Sequence, residues 1–191
     1  MNSMSRDYCH DDYNHCKKEK DLCPTIVKCS CPSSTTIPVI ATAGASFPLS
    51  SLTVDTSDMC NPCTKLQFTS NLVAPVAFTG TINFQVAKLC RCQSTPIPVG
   101  PVWTFNAVAL VSSQPFNFFV CDCDSCFDDC CIYTVTATAA TTTIGTLSVN
   151  NATLGAISTC EKNNHCNDHC NNHCNDHCNN HCNDHCNNHC R

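Results

Sequence analysis

The chain has 191 residues, 22 of them cysteine, and a formal net charge of -5. The negative charge gives no support to a nucleic-acid partner, and no apolar run reaches the ~20 residues that a membrane-spanning helix needs. The N-terminus, MNSMSRDYCHDDYNHC, is polar and lacks the apolar segment of a secretory signal peptide. Cysteine-dense chains usually belong to oxidising compartments. Three explanations are open. The thiols bind metal in a reducing cytosol, they become oxidised after the producing cell lyses, or the protein is exported by a route that uses no signal peptide.

Residues 1–34 are predicted to form a cysteine-rich connector arm. The segment is polar and contains the mixed-charge patch KKEKD. Fifteen cysteines precede the C-terminal tail, an odd number, so at least one pairs between chains or stays free if all are oxidised without the tail. A flexible arm ahead of a folded domain can reach a neighbouring subunit. The candidates for disulfides between subunits are Cys9, Cys16, Cys23, Cys29 and Cys31.

Residues 35–160 are predicted to form an all-β, jelly-roll-like β-sandwich of about eight short strands. The region is rich in Val, Ile, Thr and Phe, and TINFQV at 81–86 alternates apolar and polar residues with the period of a strand. Turn signals separate the runs. The predicted strands cover 36–43, 50–55, 65–72, 79–92, 102–111, 115–123, 131–143 and 145–158.

The body is nearly uncharged between residues 35 and 159, with three basic residues, six aspartates, no glutamate and no histidine. A neutral, Thr-rich sandwich has weak electrostatic protection against edge-to-edge pairing of strands. We interpret this composition as favouring self-assembly into a homo-oligomeric fibre or array; a solvated domain of low charge is the alternative. A catalytic Ser-His-Asp or Cys-His arrangement within this region is excluded, and no glycine-rich phosphate loop is present. We expect no enzyme.

The body cysteines form Cys-x-Cys and Cys-x-x-Cys groups. Residues i and i+2 of a strand share one face, so each Cys-x-Cys pair needs partners elsewhere; Cys90/Cys92 and Cys121/Cys123 could face each other across a sheet. A structural zinc site from two Cys-x-x-Cys groups, buried free thiols and a redox centre are the alternatives. The candidates for body disulfides are Cys60, Cys63, Cys90, Cys92, Cys121, Cys123, Cys126, Cys130 and Cys131.

Residues 161–191 are a low-complexity tail in which His-Cys recurs seven times, every four residues. His, Cys, Asn and Asp are poor helix formers, so we expect disorder until metal or oxidation orders the tail. Seven imidazoles and seven thiols could saturate about three zinc ions, and copper also suits these ligands. A repeat with no dedicated ligand and a thiol brush for crosslinking other surface proteins are the alternatives. The metal candidates are His165, Cys166, His169, Cys170, His173, Cys174, His177, Cys178, His181, Cys182, His185, Cys186, His189 and Cys190.

Four stretches carry a family resemblance: CPTIVKCSCPSSTTIPV, SLTVDTSDMCNPCTKLQFTSNL, FNFFVCDCDSCFDDCCIYTVTATA and TLSVNNATLGAIS. Over residues 23–158 the chain resembles a cysteine-rich family of clostridial spore-formers. It is also similar in plan to the endospore appendage fibre subunits of related bacteria, which have a cysteine-bearing connector and a jelly-roll body. The resemblance implies a self-assembling subunit of a pilus-like spore fibre, with Cys23, Cys29 and Cys31 as connector cysteines.

The sequence as a whole predicts a structural protein of the bacterial endospore surface, made in the mother cell without a signal peptide. It would assemble into a disulfide-crosslinked appendage fibre, outer coat or exosporium layer, in contact with copies of itself and with other spore-surface proteins. It would require no cofactor, with zinc or copper bound only on the tail. The alternative is a metal-sequestering protein that uses the tail on a β-sandwich carrier.

Overall fold

The computed structural model describes residues 24–57, 59, 61–91, 93–123 and 130–160. Within these ranges the predicted all-β class is confirmed, and the strands form a sandwich with no helix, so none that could cross a membrane. The strands are β1 (Ile26–Cys29), β2 (Ser33–Ile37), β3 (Ser46–Asp55), β4 (Pro62–Cys90), β5 (Ile97–Asp122), β6 (Cys130–Ala139) and β7 (Leu147–Cys160).

Two long strands, β4 and β5, run through both layers of the sandwich. In the first layer, here called sheet I, β1 and β2 pair with β7, β7 pairs with the first part of β4, and that part pairs with the end of β5. In the second layer, sheet II, β3 pairs with β6, β6 pairs with the end of β4, and that end pairs with the beginning of β5. Every pairing is antiparallel, so neighbouring strands alternate in direction.

The long strands replace four shorter ones that the sequence predicts. Residues 65–72 and 79–90 belong to β4, and residues 102–111 and 115–122 belong to β5. The predicted strands leave residues 73–78 unassigned, but β4 continues through them. The register between β4 and β5 shifts between Ala74 and Gly80. Such irregularities bend a paired ribbon while most of its hydrogen bonds remain.

The sheet begins earlier in the chain than residue 35, the predicted start of the body. The short strand β1 and the first residues of β2 lie within the predicted arm and pair with β7. Ser30 fixes the connection between them, because its N–H donates to the Leu154 carbonyl at 2.8 Å and its hydroxyl accepts from the Leu154 N–H at 2.9 Å. Cys29 and Cys31 are therefore attached to the sandwich.

The core lies between the two sheets. Alternation along the strands turns Ile82, Phe84 and Val86 of β4 inward, where they are fully buried. Aromatic rings bridge the layers: Phe84 lies 4.4 Å from Phe116 and 6.3 Å from Phe68, measured between ring centroids. Burial of such side chains contributes about 1.5–3 kcal/mol each, which gives the body a core that does not depend on its disulfides.

Hydrogen bonds nearly close one side of the sandwich, where the ends of the two sheets meet. Ser33 of β2 donates its hydroxyl to the Leu49 carbonyl of β3, and the Thr35 hydroxyl donates to the Pro48 carbonyl at 3.2 Å. The Ser30 and Ser50 hydroxyls are 2.7 Å apart. The opposite side has no comparable closure among the described residues, because both sheets end there on β5.

Candidate functional site

The described disulfides gather at one end of the sandwich, which we call the cysteine-rich end. Both ends of β4 lie there, together with the ends of β5 and β7 and the beginning of β6. The antiparallel turns of the chain bring these positions together although they are far apart in sequence. The cysteines of this end that take part in disulfides are Cys63, Cys90, Cys123, Cys131 and Cys160.

Two disulfides connect neighbouring strands at this end. Cys63 is bonded to Cys123 and joins the start of β4 to the end of β5, with Cα atoms 4.1 Å apart. Cys90 is bonded to Cys131 and joins the end of β4 to β6, with Cα atoms 4.0 Å apart. The first closes a loop of 60 residues and the second a loop of 41. Each restricts the unfolded chain and so stabilises the fold.

A buried polar triad connects the two sheets beside these disulfides. Lys88 of β4 places its Nζ 3.0 Å from both carboxylate oxygens of Asp122, and the Tyr133 hydroxyl donates to Asp122 Oδ2 at 2.8 Å. Lys88 and Tyr133 face each other within sheet II, whereas Asp122 belongs to the part of β5 in sheet I. All three side chains are buried. The charges satisfy each other, and loss of one partner would leave an uncompensated buried group.

Free thiols lie on the outer surface. In the described part of the chain, Cys29, Cys31 and Cys121 are exposed and form no disulfide. Register places Cys121 in line with Lys65, Ile157 and Val27 across the four strands of sheet I. Cys29 lies two residues from Val27 and on the same outer face. Its partner on β7 is Gly155, and a Cβ added to Gly155 would lie 3.7 Å from the Cys29 Sγ. Cys29 and Cys121 thus occupy the same face at opposite margins of one sheet.

The outer face between these thiols carries several exposed apolar side chains. Val27, Phe119 and Ile157 are 67, 57 and 49% exposed, respectively. The ammonium group of Lys65 lies 5.0 Å from the centroid of the Phe119 ring, a cation–π contact. Scattered exposed apolar side chains are normal, but an apolar group on one sheet face is typical of a contact surface.

The β5 strand forms a long sheet margin. Its 26 residues pair with β4 alone among the described residues, so its second edge carries backbone groups without a strand partner there. Residues 116–122 contain no proline, and their one charged side chain, Asp122, is buried. An exposed, uncharged strand edge is a template for pairing with another chain.

The structure pairs the body cysteines differently from the facing Cys90/Cys92 and Cys121/Cys123 pairs suggested by the sequence. Cys90 is bonded to Cys131 and Cys123 to Cys63, while Cys121 points outward. Cys130 is buried next to Cys131. No group of three or more metal-ligating side chains occurs among the described residues. The other candidates lie outside the described residues: Cys9, Cys16, Cys23, Cys60, Cys92, Cys126 and all His and Cys of the tail.

Sequence reasoning missed the polar triad and the bonded Cys160. A signal for Lys88 was present, since it shares the inward phase of Phe84, Val86 and Cys90 along β4. A lysine at a strand position that alternation assigns to the buried apolar face predicts a buried charge that needs a partner. The identity of that partner depends on how the end of β5 in sheet I packs against β4 and β6 of sheet II, which no local pattern indicates.

Comparison with known proteins gives a family but no function. Residues 23–159 match the family model described as "Domain of unknown function (DUF4489)", and a search of curated proteins finds no match. One similar solved structure is that of infectious bursal disease virus, Gx strain, with a TM-score of 0.44 and 9% identity over 71% of this chain and 36% of that chain. The chain thus spans 36% of the length of that viral protein.

Two further solved structures are more distant. The enzymatically active domain of the bacteriophage CBA120 tailspike protein 4 has a TM-score of 0.35 and 10% identity, over 68% of this chain and 19% of that chain. A carbohydrate-binding module specific for non-crystalline cellulose, CBM28, has a TM-score of 0.32 and 14% identity, over 59% of this chain and 78% of that chain. These likenesses carry no inference about function.

Proposed function

We propose that the chain, which belongs to the DUF4489 family of domains of unknown function, is a structural subunit that assembles with copies of itself. The product would be a fibre or layer whose subunits pair through strand edges and are locked by disulfides. The observation that carries the proposal is the margin formed by β5, which has one strand partner among the described residues and is almost uncharged. Strand addition at such an edge gives main-chain hydrogen bonds along the whole contact.

Exposed thiols add a second support. Intramolecular disulfides occupy the cysteine-rich end, whereas Cys29, Cys31 and Cys121 are exposed and unbonded. Thiols at a sheet margin can form covalent bonds to a neighbour once strand pairing has brought them together. A disulfide between chains makes the contact resistant to dilution, heat and detergent, because it limits the separation of subunits.

The endospore surface is the proposed location. Its support is the resemblance of the four quoted sequence stretches to a cysteine-rich family of spore-formers. An assembly that acquires its disulfides after the producing cell lyses would also fit a chain with 22 cysteines. Immunogold labelling of spores from a producing strain tests this location. Label confined to the spore interior would contradict it.

Purification of the full chain under reducing conditions, followed by oxidation and negative-stain electron microscopy, tests the assembly function. We expect polymers that persist in hot detergent and disperse when reductant is added. The variant Asn117→Lys places a charge on an exposed position of the β5 margin and should reduce assembly several-fold with the unfolding midpoint unchanged. Monomers under oxidising conditions would refute the function.

Metal binding is the second candidate function, favoured by the seven His-Cys pairs of the tail. Thiolate and neutral imidazole are ligands of zinc and copper, and such binding weakens as histidine is protonated below pH ~6.5. Elemental analysis of the reduced full chain after exposure to zinc, compared with a variant truncated after Cys160, tests it. Zinc retained by the full chain and not by the truncated variant would support a metal-sequestering function.

A further inference from the structure

We propose that the β5 margin of one subunit pairs with the β1 margin of the next, and that Cys121 of the first forms a disulfide with Cys29 of the second. The inference rests on the proposed assembly function and specifies its contact. It names two different surfaces of the same chain, so the contact is heterologous. Repetition of a heterologous contact that does not close into a ring builds an open polymer.

The two thiols cannot meet within one subunit. Cys29 lies on β1 and Cys121 on β5, which are separated by β7 and β4 in sheet I. Three strand spacings separate them by about 14 Å, whereas a disulfide requires Cα atoms no more than about 7 Å apart. Each thiol needs a partner from another molecule or from a different part of the chain.

Strand direction favours pairing of these two margins. Directions alternate from β1 through β7 and β4 to β5, because each pairing is antiparallel. A second subunit in the same orientation therefore presents its β1 antiparallel to the β5 of the first. Sheet I would continue from subunit to subunit, with the edge hydrogen bonds of the β5 margin satisfied by the neighbour.

The face on which the side chains lie fits the same contact. Directly opposed residues of an antiparallel pair point to one face of the sheet, and Cys29 and Cys121 both lie on the outer face of sheet I. Within one subunit Cys121 is level with Val27. A displacement of two residues along the strand, about 7 Å, places Cys121 opposite the neighbour's Cys29 instead. This offset would give each junction a constant stagger.

Proline positions define the length of the contact. Pro24 and Pro32 flank β1, and Pro115 precedes the proline-free stretch 116–122 of β5. With Cys121 opposite Cys29, Pro32 lies opposite Phe118. Proline cannot donate a backbone hydrogen bond, so pairing with β5 is confined to residues 28–31 opposite residues 119–122. Cys29 lies within β1, whereas Cys31 lies beyond the end of the strand and next to Pro32. This difference selects Cys29 as the partner and makes Cys31 the matched control.

The bond forms by oxidation of two thiols. With a small disulfide such as oxidised glutathione as the oxidant, thiolate exchange forms the Sγ–Sγ bond between Cys121 and Cys29. The two protons and two electrons of the protein thiols pass to the small disulfide, which leaves as two small thiols. The reaction therefore needs only the two protein thiols and the small disulfide, and no catalytic group of the protein takes part.

Isotope mixing tests the contact on the full chain. Equal amounts of unlabelled and heavy-isotope-labelled subunits are mixed in reductant and oxidised with glutathione disulfide. The polymers are digested without reduction and analysed by mass spectrometry. We expect Cys29–Cys121 peptides in which half of the linked pairs carry one labelled and one unlabelled partner. The variants Cys121→Ser and Cys29→Ser should lose the linked peptide and most of the covalent polymer, whereas Cys31→Ser should retain both.

Three outcomes would overturn the inference. A Cys121–Cys121 link would indicate a two-fold contact between β5 margins, and a link from Cys121 to Cys31 or to residues 1–23 would assign the margin another partner. Covalent polymers with any of these links would leave the assembly function intact and refute only the Cys29 contact. An oxidised chain that stays monomeric would refute both.

Discussion

The two ends of the sandwich are stabilised in different ways. The cysteine-rich end has two described disulfides between strands and the triad of Lys88, Asp122 and Tyr133 between the sheets. The opposite end, where β4 and β5 bend, contains no cysteine in the residues described there, 74–80, 107–112 and 139–145. We call it the cysteine-free end. It depends on backbone geometry and neutral hydrogen bonds.

Glycine and threonine hold the cysteine-free end. Gly145 has a φ of 87° and lies so close to β4 that an added Cβ would be 2.1 Å from the Ala77 carbonyl oxygen. The fully buried Thr143 accepts a hydrogen bond from the Ala41 N–H at 3.2 Å. One end of the fold therefore responds to the redox state of the solution, and the other does not. Covalent bonds are concentrated at the end where the exposed Cys121 also lies.

The largest expected effect comes from Asp122→Ala at the cysteine-rich end. Removal of the carboxylate leaves the Lys88 ammonium and the Tyr133 hydroxyl buried without it, so we expect the free energy of unfolding to fall by about 3–5 kcal/mol. Urea denaturation of the oxidised chain measures this loss. The paired variant Lys88→Met with Asp122→Leu should lose much less, because no charge remains. Equal losses in the single and paired variants would show that the triad does not act through charge.

The disulfide Cys90–Cys131 is expected to contribute about 2–4 kcal/mol. The double variant Cys90→Ala with Cys131→Ala should lose this amount relative to the oxidised wild type in thermal or urea denaturation. In excess reductant the two proteins should have similar stability, because neither then has the bond. A variant as stable as the oxidised wild type would contradict the assigned role.

At the cysteine-free end, Gly145→Ala is expected to cost about 1–3 kcal/mol, since an L side chain at this φ is strained and its Cβ would collide with the Ala77 carbonyl. Gly44 has the same φ of 87° with open space around it, so Gly44→Ala is the matched control and should cost less. Urea denaturation with and without reductant should give the same loss for Gly145→Ala. A loss that disappears on reduction would remove the distinction between the ends.

The smallest effect is expected from Thr143→Val. The substitution preserves the shape of the side chain but removes the hydroxyl that accepts a hydrogen bond from the Ala41 N–H. A buried N–H without a partner costs about 1–3 kcal/mol, and a water molecule that replaces the hydroxyl lowers this cost. We expect a loss near the lower limit, measured by thermal denaturation, together with faster amide hydrogen exchange at Ala41. Unchanged exchange at Ala41 would show that the hydroxyl is dispensable.

The sequence was informative where physical signals are local. The alternation at 81–86 correctly predicted a strand, because a half-buried strand has a period of two residues. It did not predict that residues 73–78 belong to β4, because a proline such as Pro75 can also lie where a continuous strand bends. The short β1, only IVKC, was too brief to distinguish from the arm. The disulfide partners were not predictable either, because Cys63 and Cys123 are 60 residues apart and meet only through strand pairing.

The central claim is that the chain polymerises through its free margins and locks the polymer with disulfides. Sedimentation velocity of the full chain before and after oxidation with glutathione disulfide, with Cys121→Ser measured in parallel, tests it most directly. We predict a single small species in reductant, a broad distribution of large species after oxidation, and a return to the small species when reductant is restored. Cys121→Ser should stay small. A wild-type chain that remains one small species after oxidation would contradict the claim.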